Sequence, residues 1–310
     1  MVFLFFLIGL TQSKYSWTLD RINQYSFIPD FRIETYNSDK NPIDVYVIDS
    51  GISLNKYFYN NIVEKKNFIN LIKDDENGHG TFVTSLISSK YYGVTNNINI
   101  HSLKVFGIEG STKVNYLFDS LEYVKEQCKT LERCIVNLSL GMSKRIDAID
   151  NLLTDMFNEN ILIIAAAGND NKDCKDFTPS NLDSILVVGS IDYLNIKSKF
   201  SNYGACVDIY TYGELVPGLG LKNLNIMSGT SMSTPIITGY ISNFWSNNYN
   251  LTNKEVIKFF LKEYTYETNN LKIFKIESKI LNDLIMIIFI NISLLPFYII
   301  FYILFKCNRI

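Results

Sequence analysis

Histidine is scarce in this sequence. Its 310 residues contain two, His79 and His101, so imidazole acid–base chemistry near neutral pH falls to one of them. A surplus of charge of one sign is also lacking. Lys and Arg number 29 against 31 Asp and Glu, a net charge of −2, which offers no electrostatic handle on nucleic acid or on an anionic membrane surface. None of the five cysteines has the CxxC spacing of a zinc or redox site, and none lies in a stretch suited to a thiol nucleophile. There is no internal repeat and no low-complexity linker.

What is present suits one large α/β domain: 47% of residues are hydrophobic and 19% charged, enough for a substantial core. Apolar runs near Ile43–Ile48, Ile98–Val105, Ile135–Leu140, Ile161–Ala166 and Ile185–Val188 read as buried strands. They alternate with helical patterns near Thr81–Ser88, Val114–Gln127, Ala148–Asn158, Met232–Ser246 and Asn253–Glu263. Such alternation predicts a parallel sheet with helices on both faces. Residues 14–40 are polar and irregular apart from a short helical stretch, TLDRINQ, and 41–263 form the expected domain. Residues 264–283 mix charged and apolar types and are expected to close the domain and lead away from it.

The ends are apolar. Residues 1–13, MVFLFFLIGLTQS, read as a secretory signal peptide ending in small residues; a buried first strand or an uncleaved anchor is the plainer alternative. Leu284–Phe305 carries no charge and is long enough to cross a bilayer as a helix. Lys306 and Arg309 follow at once, so the positive-inside rule predicts a cytoplasmic tail over 306–310, with Cys307 in it. The rest of the chain would then lie outside the cell or in the secretory lumen. Cys128, Cys134, Cys174 and Cys206 would be free to oxidise there. Four cysteines allow three connectivities; Cys128–Cys134 with Cys174–Cys206 is the working expectation. Among the sequons, Asn250 in NLT suits glycosylation better than Asn137 in NLS.

The densest chemistry is at Ile226–Gly239, IMSGTSMSTPIITG. Small residues crowd Ser231, and the run that follows is helical. Ser231 is therefore expected at a helix N-terminus, with Pro235 in the first turn, where a missing N–H costs little. Unpaired N–H groups and the helix dipole there favour a developing oxyanion. A serine nucleophile needs a base, and His79, in ENGHGTFVTSLI, precedes a helical pattern. The base needs an orienting carboxylate, and Asp49 ends the strand-like run DVYVIDSGI. An Asp at a strand end is often only a turn cap, and His101, in NIHSLKVF, reads as structural or surface.

VIDSGI, GHGT and SGTSMSTP, in the order Asp49, His79, Ser231, resemble the three signature blocks of the subtilisin-like serine proteases. The chain is most similar to the proteinase K-like group, through Trp17–Ile22 and Lys197–Glu214. The resemblance covers about Trp17–Glu263. It implies a subtilisin-like three-layer α/β fold with a mostly parallel central sheet and helices on both faces, here with a C-terminal transmembrane helix added. It implies an Asp49–His79–Ser231 triad, and in AAAGNDN it assigns Asn169 to the oxyanion hole; Asn after a strand and a glycine is otherwise a common turn residue. Ser139, Leu140 and Gly141 would form one wall of the primary specificity pocket and Ala166, Ala167 and Gly168 the other. Gly110 and Ser111 would supply a facing strand. These small, uncharged residues imply a preference for apolar or aromatic side chains. The chemistry needs no cofactor, but the resemblance implies a structural calcium at Asp208, with carbonyls near Asp183 and Ile185. Family members usually carry a long prodomain ahead of the protease domain, and none is evident here, which leaves room for an inhibitor or folding helper in trans. The expected partners are protein or peptide substrates and, through the C-terminal helix, a membrane. Two rival functions remain: a processing protease selective for basic residues, and a pseudoprotease that binds peptides without cutting them.

Overall fold

The structure, a computed structural model, describes residues 16–23, 41–142 and 144–276. The expected signal segment, the Leu284–Phe305 span and the tail with Cys307 lie outside the described residues. Among the described residues no helix is long and apolar enough to cross a membrane.

A short helix, α1 (Trp17–Ile22), precedes the first strand, β1 (Ile43–Asp49). There follow β2 (Ile62–Asn67), α2 (His79–Ile87), β3 (Ile98–Lys104), α3 (Val114–Cys128) and β4 (Cys134–Leu138). Then come α4 (Asp147–Asn158), β5 (Leu162–Ala166), β6 (Leu186–Ile191) and β7 (Ile209–Tyr212). A hairpin of β8 (Val216–Leu219) and β9 (Leu224–Met227) leads into the long α5 (Thr230–Asn247). Last are α6 (Asn253–Tyr264) and a second hairpin of β10 (Thr265–Thr268) and β11 (Leu271–Phe274).

The main sheet has nine strands in the order β10-β11-β7-β6-β5-β4-β1-β3-β2. From β11 to β2 all pairings are parallel, and only β10 runs antiparallel to its neighbour. β1, β4, β5 and β6 are almost wholly buried runs of Ile, Val, Leu and Ala, as strands covered on both faces must be. Helices α2 and α5 pack on each other and on the sheet, and so do α3 and α4, which makes the three layers. Helix α6 starts on a capping box, Thr252 with Glu255, that satisfies two orphan N–H groups at once.

The strands with long apolar runs fall where their periodicity predicts. The edge strand β2, IVEKKN, is half-exposed and mostly charged, so its sequence carries no strand pattern. The β10–β11 hairpin adds to β7 through Ile273 and Tyr210, so residues 265–274 of the stretch expected to close the domain join its sheet; 277–283 lie outside the described residues. Both expected disulfides are present, Cys128–Cys134 and Cys174–Cys206.

Candidate active site

The site is assembled at the carboxyl ends of the parallel strands, where an open α/β sheet leaves a crevice. Asp49 is the last residue of β1, His79 the first of α2, and Ser231 the second of α5. The Asp49 carboxylate is 1% exposed and His79 30%. His79 Nδ1 lies 2.8 Å from Asp49 Oδ1 and 3.0 Å from Oδ2, so Asp49 accepts the Nδ1–H hydrogen bond, fixes that tautomer and leaves Nε2 as the basic nitrogen. Burial works to lower the His79 pKa, but the charge and hydrogen bond of Asp49, backed by the charge of Asp75, outweigh it and raise it above the ordinary histidine value. Close approach requires Gly80: a Cβ there would stand 2.3 Å from Gly51 O and 3.1 Å from Asp49 Oδ1.

Ser231 Oγ donates to Ser139 O at 3.0 Å, and among the described residues no hydrogen bond joins it to His79. Hydrogen bonds of this kind often tighten only when substrate is bound. Pro235 is not in the first turn of its helix, as expected, but in the second. It withholds the N–H that would bond the Ser231 carbonyl four residues back. Ser139 Oγ supplies the missing donor, at 3.0 Å from Ser231 O, and Asn137 Nδ2 donates to that hydroxyl at 3.0 Å. Ser139 and Ser231 thus hold each other by two reciprocal bonds. Asn137 is fully buried, with its Oδ1 taken by Thr238 Oγ1 at 2.8 Å, so its sequon is inaccessible; Asn250 is exposed.

Asn169 follows β5. Its Oδ1 accepts from the Thr230 N–H at 2.9 Å and from Thr230 Oγ1 at 3.0 Å. A backbone N–H can only donate, so the amide is oriented with Oδ1 toward Thr230. Nδ2 is left without an acceptor among the described residues, and so is the Ser231 N–H. Two uncommitted donors therefore lie at the N-terminus of α5.

The two proposed pocket walls continue neighbouring strands, since Leu138 of β4 pairs with Ala165 of β5. Ser139, Leu140, Ala166 and Ala167 are buried, while Gly141 is exposed and Gly168 is half-buried. Gly110 and Ser111 do not form a strand. They sit in an exposed turn whose Gly110 N–H donates to Gly107 O at 3.0 Å. Asn77 Nδ2 donates to Ile108 O at 2.9 Å and ties that turn to the segment before His79.

Two further groups shape the site without any motif to announce them. Asp75, 5% exposed, accepts through Oδ1 from Ser50 Oγ, Asn77 N and Gly78 N, and through Oδ2 from Thr81 N and Thr81 Oγ1. Its negative charge caps the start of α2, where an acid is favoured, and holds the His79 turn against β1. An acid four residues before His79 at a predicted helix start was the available signal. Lys104, fully buried, donates to Asp74 O and Glu76 Oε2, each at 2.8 Å, and anchors the same loop from β3; nothing in its sequence context marks it.

Asp208, half-buried just before β7, accepts from Val187 N at 2.8 Å through Oδ2. Burial raises its pKa to about 6; the Val187 bond and the charge of Lys272 oppose the rise, and the charge of Asp183 adds to it. Its Oδ1 has no protein donor among the described residues. A carboxylate with one free oxygen, partly desolvated and near a second acid, fits a hard cation that prefers oxygen ligands. Elsewhere among the described residues, the one three-residue ligand cluster is Asp173, Cys174 and Cys206, and its sulfurs are spent on each other in a disulfide.

The family model described as the subtilase family matches residues 40–277. The chain belongs to this family. It is 37% identical over 210 residues to the subtilase-type proteinase RRT12 of Saccharomyces cerevisiae, a match covering 64% of this chain and 42% of that protein. It is 31% identical over 236 residues to the extracellular serine proteinase of a Thermus species, covering 74% of this chain and 56% of that one. With subtilisin-like protease 2 of Trichophyton verrucosum the identity is 34% over 205 residues, covering 64% and 48%. The chain thus spans about half the length of the curated relatives it matches. Among solved structures, a cold-adapted subtilisin-like serine proteinase superposes with a TM-score of 0.78 at 27% identity, covering 85% of this subtilase chain and 98% of its own.

Proposed function

We propose that this subtilase is a serine endopeptidase using the triad Asp49–His79–Ser231. Ser231 Oγ leaves the Ser139 carbonyl and attacks the scissile carbonyl while His79 Nε2 takes its proton. Asp49 holds the imidazole tautomer and stabilises the imidazolium. Asn169 Nδ2 and the Ser231 N–H receive the oxyanion. His79 returns the proton to the leaving amine, and water then hydrolyses the acyl-enzyme by the same route. One observation carries the reading. Asn169 Oδ1 is pinned by Thr230, next to Ser231, which leaves two donors uncommitted at the N-terminus of α5, as an oxyanion hole needs. That arrangement supports the enzyme reading over a pseudoprotease. The test is labelling of Ser231 by a fluorophosphonate together with hydrolysis of a protein substrate; failure of both in the folded protein would end the proposal.

Several finer readings follow. Ser139, Leu140, Gly141, Ala166, Ala167 and Gly168 bring no charge to the pocket, which supports a preference for apolar or aromatic side chains; Gly110 and Ser111 would face the substrate from their turn. A peptide library that returned dibasic sites would favour a processing protease instead. Kinship with the proteinase K-like group draws support from Trp17, which packs edge-on to Tyr193 and Tyr212 and donates Nε1 to Leu215 O at 3.0 Å. Asp208 would hold a calcium ion that neutralises a carboxylate burial makes costly; the ion takes no part in the chemistry. Residues 284–305 would anchor the protein with its catalytic domain outside or in the lumen. Digestion of the domain in sealed, cytoplasm-out vesicles would contradict that topology.

A further inference from the structure

Asn169 follows a glycine in a turn that its own side chain does not hold. Its amide is fixed to Thr230, but the backbone beneath it, residues 167–172, must be held from elsewhere. Asn202, on the loop before β7, is fully buried and fills the hollow of that turn. Its Nδ2 donates to Ala167 O at 2.9 Å, and its Oδ1 accepts from Asp170 N and Lys172 N, each at 3.0 Å. Its own N–H donates to Gly168 O at 2.9 Å. The residues on both sides of Asn169 are therefore bonded to one side chain or its backbone. A Cβ at Gly168 would lie 2.4 Å from Asn202 Nδ2, so the fit allows only glycine there. Two neighbouring contacts stiffen the Asn202 loop itself. The Cys174–Cys206 disulfide spans it, and Lys197 Nζ reaches Asn171 Oδ1 at 3.1 Å, Ser201 O at 2.9 Å and Ser198 O at 3.2 Å.

We infer that Asn202 is a positioning residue for the oxyanion hole: by bonding Ala167, Asp170 and Lys172 it sets the height and direction from which Asn169 Nδ2 meets the tetrahedral intermediate. The inference rests on the reading of Asn169 as an oxyanion donor. A merely structural asparagine would lower stability and leave the oxyanion contact alone; a positioning one acts on kcat through Asn169.

A double-mutant cycle with a peptide anilide separates these roles. Asn202→Ala should lower kcat roughly 10–100-fold, the scale on which misplacement of a supporting group is felt, with KM within about twofold of the parent. In an Asn169→Ala background the same substitution should cost less than about twofold, because the contact it disturbs is already gone. Hydrogen exchange at the Asp170 and Lys172 amides should quicken in Asn202→Ala. Asn202→Asp keeps the acceptor for both amides; it serves if Asn202→Ala does not fold, and should show a smaller loss with the same non-additivity. Equal losses in both backgrounds would overturn the inference and leave the role of Asn169 intact. A normal kcat in Asn169→Ala would instead overturn the reading of Asn169, and this inference with it.

Discussion

The two histidines of this chain are both paired with carboxylates, yet only one is arranged as a base. His79 gives Nδ1 to Asp49 and keeps Nε2 open, with 30% of its side chain exposed. His101 spends both nitrogens: Nδ1 lies 3.0 Å from Glu64 and Nε2 2.9 Å from Asp44, and its ring stacks on Tyr46 at 4.2 Å. It is 13% exposed, and it lies in mid-strand, away from the carboxyl ends of the sheet. A base needs an unoccupied nitrogen facing the reacting proton. An imidazole bracketed by two acids is a structural bridge between β1, β2 and β3. Sequence context distinguished the pair by motif; the tertiary contacts distinguish them by which nitrogens are occupied.

The comparison breaks most sharply by substitution at His79. His79→Ala, or Ser231→Ala, should reduce kcat by roughly 10⁶, and the double variant should be little worse than either single one, in burst-free steady-state assays. If His101→Ala did the same, the roles would be reversed. Asp49→Asn comes next, with an expected loss of about 10⁴ in kcat. Its acidic limb should move to lower pH, because the charge and hydrogen bond that raise the His79 pKa are removed. The signs for activity and stability are opposite. Activity needs neutral His79 and rises as pH climbs through its raised pKa. The Asp49–His79 pair contributes stability that is full below the ordinary histidine pKa and is lost as pH rises through the folded value.

Asn169→Ala should lower kcat roughly 10²–10³-fold with KM little changed. His101→Ala should leave kcat as it is and cost roughly 1–3 kcal/mol in denaturant melts, since Asp44 and Glu64 lose a partner in a half-buried site. Asp208, an acid with no imidazole beside it, extends the series. Its pKa is raised to about 6, so its contribution to stability is present below its unfolded value and lost as pH rises through about 6. Added calcium should therefore stabilise the protein above that pH, by about 2.7 kcal/mol at a hundredfold excess over Kd. The gain should vanish in Asp208→Asn.

Most of the sheet was legible because its strands are long apolar runs. β7 to β11 were not: each has four residues, too few for a period to emerge. Asp49, His79, Ser231 and Asn169 stood out because each lies at the junction of an apolar pattern with glycine or small residues. Asp75, Lys104 and Asn202 did not, because what they do is bond backbone groups that only the fold brings near. Pro235 falls in the second turn and not the first because Thr230 starts the helix two residues before Met232. The lost helical bond is repaired by Ser139, a residue 92 positions away.

The sequence by itself determined the alternation of strands and helices, the chain order of the proposed triad and the residue types able to do acyl transfer. These depend on local pattern: apolar period, capping chemistry, glycine where backbones must approach. Only the tertiary structure decided which nitrogen of His79 stays free, which way the Asn169 amide points, and that Ser139 completes the helix that carries Ser231. Those are matters of hydrogen-bond direction between segments remote in the chain. A hydrogen bond is directional at about 3 Å, finer than any spacing along the sequence can specify.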